Sequence, residues 1–147
     1  MNRYGKQRGV AAVELAILMT FILVPLLFGI TEFGRALYQY NTLLKGTRDA
    51  ARYLSMQGPG DPNDVGIAQC LAVYGNKTCT GSSLVPNLAK GMVSVCDSTI
   101  CSSHLNQPTG SGVVNLVTVT VSGYTFTSLV PFVVPGFTFD SISTTMR

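Results

Sequence analysis

From Val10 to Ile30 the chain reads VAAVELAILMTFILVPLLFGI, an apolar run whose one ionisable side chain is Glu14. A run of this length and purity predicts a membrane-spanning helix. As a helix, Val10–Thr31 reaches roughly 33 Å at about 1.5 Å per residue, enough to cross a hydrocarbon core of about 30 Å. Arg3, Lys6 and Arg8 precede the run, and Glu32 follows it with Arg35 partly compensating. The positive-inside rule therefore keeps the N-terminus cytoplasmic and exports the remainder. A cleaved secretory signal would share the basic start and the apolar run. Against it stand Glu14 near the start of the apolar segment, the lack of a convincing small-x-small cleavage site, and a helical pattern that continues past the run.

With 147 residues the chain has room for one ordinary domain and an accessory segment. Charged residues are only 12% of it, about half the usual share, so it reads as neither disordered nor comfortably soluble. Ten Lys and Arg stand against seven Asp and Glu, but Arg3, Lys6 and Arg8 account for the whole excess. A diffuse basic face for nucleic acid is not expected.

Beyond the apolar run, Phe33, Leu37, Tyr40, Leu44, Thr47, Ala51 and Leu54 recur at steps of four and three, the stripe of an amphipathic helix. Part of that stripe is expected to serve as core against the C-terminal domain. Glu32 with Arg35 and Lys45 with Asp49 fall at helix-pairing distances. One helix is expected to run to about Met56, with 10–31 as its membrane half and 32–57 as its amphipathic half. Gly58, Pro59, Gly60 and Pro62 then stop it. Pro25 removes a backbone donor and predicts a kink, with Gly29 loosening the helix further.

Glu14 fits such a span least. A carboxylate at the centre of a span costs roughly 2.5 to 3.5 kcal/mol and less near an end, which makes it a functional candidate. A snorkelling or protonated acid without a role is the plain alternative. If the basic leader 1–9 were cut after Gly9, the new α-amino group of Val10 would sit one helical turn from Glu14, as its counter-ion in low dielectric.

The stretch Arg8-Gly9-Val10-Ala11-Ala12-Val13-Glu14 resembles the processing site of type IV prepilin-like proteins: a short basic leader ending in Gly, then an apolar helix with Glu at its fifth mature position. The wording RGVAAVELAILM followed by LLFGITEFGRALYQYNTLLKGTRDAARY resembles the TadE-like minor pseudopilins of the tight-adherence (Tad, or Flp) pilus, most closely from Gly9 to Tyr53. The VTVTVSGYTF strand and the closing TTMR are similar as well. Leu15 departs from the aromatic that often follows the Glu, and the leader is short.

The resemblance implies that an aspartic prepilin peptidase cuts between Gly9 and Val10 on the cytoplasmic face of the inner membrane, this chain being substrate and not enzyme. It implies partners in other pilin and pseudopilin subunits and in the inner-membrane assembly platform. In a bundle of subunits Glu14 would pair with the Val10 amine of its own or a neighbouring chain and fix axial register. Ala12 and Ala16, four apart, would let helices approach closely.

From Gly58 the composition shifts to Ser, Thr, Gly, Asn and Pro, and 58–147 reads as the exported domain. Asp61-Pro62-Asn63-Asp64 predicts a capped helix through Tyr74 that ends at Gly75. Val113–Ser122 alternates cleanly and is the best strand; Phe137–Ser143 and Met92–Cys96 are further extended segments, with Pro131 and Pro135 in a connection or edge. The fold class is α+β: a long N-terminal helix packed on a small antiparallel sheet, pilin-like.

Cys70, Cys79, Cys96 and Cys101 all lie in the exported part, and four cysteines allow three pairings. Neighbour pairing would close short loops worth about 2 to 3 kcal/mol each. Zinc is the rival, but the spacings suit it poorly and the compartment is oxidising, so no metal and no cofactor are expected. His104 sits in a Ser, Asn and Gly-rich loop without a patterned carboxylate, so a hydrolase triad is not expected. Asn76-Lys77-Thr78 is read as a turn.

Two functions remain. One is a minor pilin-like subunit for biogenesis, initiation or capping of a Tad pilus, inner-membrane and single-pass, with its domain in the periplasm or, after assembly, in an extracellular pilus. The other is a permanently anchored envelope protein whose disulfide domain binds a ligand. The mature N-terminal residue separates them: Val10 in the first case, Met1 or Asn2 in the second.

Overall fold

The computed structural model describes residues 4–147, with side chains from Gly9 onward. Arg3 lies outside the described residues, as do the side chains of Lys6 and Arg8. Helix α1 covers Tyr4–Leu54. Pro25 lies inside it without ending it, although a proline leaves the carbonyl of Phe21 without its helical donor. The helix closes through Ser55 N–H to Ala51 O and two tighter bonds, Met56 N–H to Tyr53 O and Gln57 N–H to Leu54 O, before Gly58.

The chain forms two compact units. The first comprises the helix up to Ala36 together with Thr127–Gly136; the second comprises Leu37–Phe126 and Phe137–Arg147.

In the second unit, α2 spans Pro62–Tyr74. It begins as its sequence predicts, with Asp61 Oδ1 accepting from Asn63 N–H at 2.8 Å and Pro62 in the first turn. Gly75, at φ 70°, closes it in the left-handed region. Seven strands follow: β1 Val93–Cys96, β2 Gln107–Thr109, β3 Gly112–Val114, β4 Val117–Val121, β5 Thr125–Phe126, β6 Phe137–Thr138 and β7 Ile142–Met146. β4 is the centre of an antiparallel sheet of order β1-β4-β7, while β2 pairs with β3 and β5 with β6. Register aligns Val93, Val121 and Ile142 in one inward row and Val95, Val119 and Thr144 in the next.

These rows pack with α2 and the C-terminal half of α1 in one core that includes Leu43, Ala50, Leu54, Ala72 and Val73. Thr47 is fully buried; its hydroxyl donates to Leu44 O and receives Thr144 Oγ1 at 3.1 Å, joining α1 to β7. The Tyr124 hydroxyl donates to Gln39 Oε1 or to Pro86 O, at 3.0 and 2.9 Å. The architecture is α+β and pilin-like, a long N-terminal helix with small antiparallel sheets.

The helical stripe is correct only towards its end. Thr47, Ala51 and Leu54 are buried, but Phe33, Leu37 and Tyr40 are exposed and Leu44 is half-buried; the inward line before Thr47 is Glu32, Ala36, Gln39 and Leu43. Hydrophobicity alone does not find this line, because two of its four members, Glu32 and Gln39, are polar and a third, Ala36, is small. A Cβ on Gly46 would lie 2.7 Å from Ala72 O, so the α1 and α2 backbones meet where no bulky residue fits. Polar Gln39 goes inside because it has a hydrogen-bond partner there.

Two expected strands are also divided. Val113–Ser122 breaks at Asn115-Leu116, where Leu116 N–H turns to His104 O and Asn115 Oδ1 takes Asn106 N–H. Phe137–Ser143 breaks into β6 and β7, with Phe139 N–H donating to Tyr124 O between them. Lys45 and Asp49 are exposed and form no ion pair with each other.

Candidate functional site

Gly9 and Val10 lie within the helical run of α1, so the peptide bond between them is in helical backbone. Val10 and Glu14, four apart, are on the same face, and with Gly9, Val13 and Ile17 they line one shallow groove. Both are exposed, and the Val10 nitrogen is here a peptide nitrogen with no charge to offer Glu14. Ala12 and Ala16 are likewise exposed, one turn apart. Val13, Ala16, Ile17, Thr20 and Phe21 form a second groove beyond the first.

From Gly9 to Phe28 every side-chain position is exposed, including Phe21 and Ile22. Among the described residues none covers this stretch, so its apolar surface suits lipid or other helices. Its hydroxyls are already paired: Thr20 donates to Ala16 O and Thr31 to Leu27 O. One helix among the described residues is long and apolar enough to cross a membrane.

Just past this stretch is a buried ionic cluster. Glu32, 2% exposed, takes Arg35 Nη1 at 2.8 Å on both carboxylate oxygens and Leu129 N–H at 3.2 Å on Oε2. Burial pushes its carboxyl up, but the Arg35 hydrogen bonds, then Ser128 and the Leu129 N–H, outweigh burial and hold it below its ordinary value. The expected Glu32–Arg35 pair is therefore real, but it also fastens a loop nearly a hundred residues on. Sequence reading missed that role; the charge-free run SLVPFVVPGF after Thr127 was the available signal.

A second buried carboxylate was also missed. Asp97, 5% exposed, accepts Thr99 N–H, Thr99 Oγ1 and Ile100 N–H on Oδ1 and Gly60 N–H on Oδ2. Burial raises its pKa, and these four donors more than reverse that, leaving it lowered. It ties the α1–α2 turn to the loop after β1. Its Asp-Ser-Thr context, which favours local side-chain turns, was the legible hint.

Cys70 is joined to Cys79 and Cys96 to Cys101, with Cα separations of 4.8 and 5.7 Å. His104 is not isolated in its loop: Nε2 lies 2.7 Å from Thr118 Oγ1 on the outer face of β4, and Nδ1 lies 3.5 Å from Cys96 Sγ. Cys96, Cys101 and His104 are thus close enough to share a metal ion, but both sulfurs are engaged with each other. Asn76 forms a turn, its Oδ1 accepting from Thr78 N–H and Thr80 N–H. A cleft of about 120 Å³ bounded by Leu54, Asp61, Asp97, Asn115 and Arg147 holds no histidine or cysteine.

Residues 9–52 match the family model for TadE-like protein. No curated protein and no solved structure matches the chain. The matched TadE-like segment begins at Gly9, contains Glu14, Ala12 and Ala16, and ends within the last turns of α1. The match is confined to α1, the helix that is long and apolar enough to cross a membrane, so the likeness to TadE-like protein is a likeness of this helix. The domain beyond α1, with its two disulfides, lies outside the match.

Proposed function

We propose that the chain is a minor pilin-like subunit for biogenesis, initiation or capping of a Tad pilus. A prepilin peptidase removes residues 1–9 by cutting after Gly9, and the mature protein waits in the inner membrane with its domain in the periplasm. The observation that carries this reading is the placement of Gly9, Val10 and Glu14 along one groove of an uncovered apolar helix, at the start of the TadE-like segment.

Cleavage converts the Val10 nitrogen into an ammonium one turn from Glu14. In a bundle of such helices the pair neutralises two charges that would be costly to bury separately, and a shift by one residue separates them. Ala12 and Ala16 leave the adjoining face shallow, so a neighbouring helix can come close. Val10–Thr31 serves first as membrane anchor and then as packing surface for pilin and pseudopilin neighbours.

N-terminal sequencing of the membrane-extracted mature protein tests the proposal, Val10 being the expected first residue. A start at Met1 or Asn2 would instead favour a permanent anchor. Gly9→Val should block removal of the leader and leave the precursor in the membrane. A Cβ on Gly9 meets nothing within 4 Å, so this variant challenges the peptidase subsite and not the fold. Unchanged processing on a blot against the C-terminal domain would remove the main support for the reading.

A further inference from the structure

The loop Thr127–Gly136 carries no charge, yet displays Leu129 at 74% and Phe132 at 86% exposure. In the same compact unit as the apolar part of α1, its position is fixed by two contacts. Glu32, the first residue after the span, holds Leu129 N–H, and Val133 Cγ1 lies 4.0 Å from where a Cβ on Gly29 would stand. Three helical residues separate those two points, a rise of about 4.5 Å. From Leu129 to Val133 the loop therefore descends along the helix, from the end of the span towards its interior.

The N–H groups of this loop depend little on water. Leu129 N–H goes to Glu32, Val130 N–H to Ser128 Oγ, and Val133 and Val134 N–H both to Val130 O. Pro131 and Pro135 have no N–H to satisfy. Between Leu129 and Pro135 only the Phe132 N–H has no partner, where an ordinary surface loop would rely on water for most of its donors. Large apolar side chains pointing outward, backbone donors that are nearly all paired and a fixed place beside the span favour entry into the headgroup and outer acyl region of a bilayer, where carbonyls still meet water.

We infer that the 127–136 loop is a second membrane contact: Leu129 and Phe132 enter the outer part of the leaflet surrounding the end of α1. The occupant of this apolar surface is acyl chain. The Glu32–Arg35 pair then sits at the boundary as a clasp, holding the loop against the helix. This inference rests on the reading of Val10–Thr31 as a membrane span, and the test separates the two.

The protein contains no tryptophan, so single substitutions give unambiguous fluorescence reporters. Full chain carrying Phe132→Trp is reconstituted in phosphatidylcholine vesicles with and without brominated acyl chains. Phe21→Trp reports on the span, and Val113→Trp, at a residue 64% exposed in β3, supplies the aqueous reference. The expected result is blue-shifted emission from the indole at position 132, quenching by brominated lipid, and protection from acrylamide. Position 21 should behave likewise and position 113 should not. Quenching at 21 without quenching at 132 would overturn the proposal. So would acrylamide protection at 132 without bromolipid quenching, which would mean that protein and not lipid covers the loop. Absence of quenching at position 21 would remove the span reading, and this inference with it.

Discussion

Gly46→Ala adds one methyl group at the tightest point between α1 and α2. The new Cβ would stand 2.7 Å from Ala72 O, with Ala72 C and Cα at 3.4 Å. The obstacle is backbone, so no rotamer change relieves it and the helices must separate by about 0.7 Å to restore ordinary contact at 3.4 Å. A gap of about 0.5 to 1 Å forfeits a quarter to a half of each affected dispersion contact. The affected seam includes Leu43, Ala50, Ala68 and Val73, each 1% exposed or less. Overpacking of this kind costs about 1 to 3 kcal/mol. Against it, replacing glycine inside a helix gains about 1 kcal/mol. Because the obstacle is backbone, the clash lies at the upper end of its range and prevails, with a net loss of up to about 2 kcal/mol and a fall in Tm of about 4 to 8 °C at that limit. Gly66→Ala in α2 isolates the opposing effect, because its Cβ meets nothing within 4 Å; it should leave Tm unchanged or raise it. Thermal unfolding of the full chain in detergent, followed by near-ultraviolet circular dichroism of the core tyrosines, measures both. A Gly46→Ala protein as stable as the Gly66→Ala protein would refute the close-approach argument.

Glu14→Gln should leave leader removal intact, since the change is five residues beyond Gly9, while abolishing incorporation into pili: the Val10 ammonium would enter the bundle unpaired, at a cost of about 3 to 5 kcal/mol. Blotting of sheared filaments beside membrane fractions checks it, and wild-type piliation would count against the charge pair. In exported protein all four cysteines should resist alkylation until a reductant is added, because Cys70–Cys79 and Cys96–Cys101 are bonded; mass spectrometry of blocked thiols reads the outcome. Asp97, lowered in the folded state, contributes stability that is present above its unfolded pKa of about 3.9 and is lost as pH falls through the folded value. The wild-type domain should therefore lose Tm between about pH 5 and lower pH, whereas Asp97→Asn starts lower at neutral pH and changes less.

The elements governed by local chemistry could be read from the sequence. Asp61, Pro62 and Gly75 each act within one turn of chain, and they delimit α2 as expected. The alternation of Val117, Val119 and Val121 identifies the central strand. What escaped depends on contacts distant in sequence. Nothing near Glu32 signals that Leu129 will donate to it, and nothing near Asp97 signals Gly60. The interior face of α1 was misread for a related reason: Gly46 and Ala50 are inside because α2 approaches closely, a fact that hydrophobicity at helical spacing does not contain. In the candidate site, the shared face of Val10 and Glu14 could be read because the two lie about one helical turn apart.

Both disulfides are local. Cys70–Cys79 closes the end of α2 upon its own turn, and Cys96–Cys101 closes the loop that leaves β1. Neither reaches α1. A pull applied to the N-terminal helix, while the domain is held by something else, is therefore resisted between α1 and the rest of the domain by Thr47 against Thr144, Gln39 against Tyr124 and the seam at Gly46. The C-terminal half of α1 is held to the domain by packing, hydrogen bonds and the chain connection at Gly58, with no disulfide across that seam. Under load α1 peels from the sheet while both disulfide loops stay closed, and the short connection through Gly58 then carries the force.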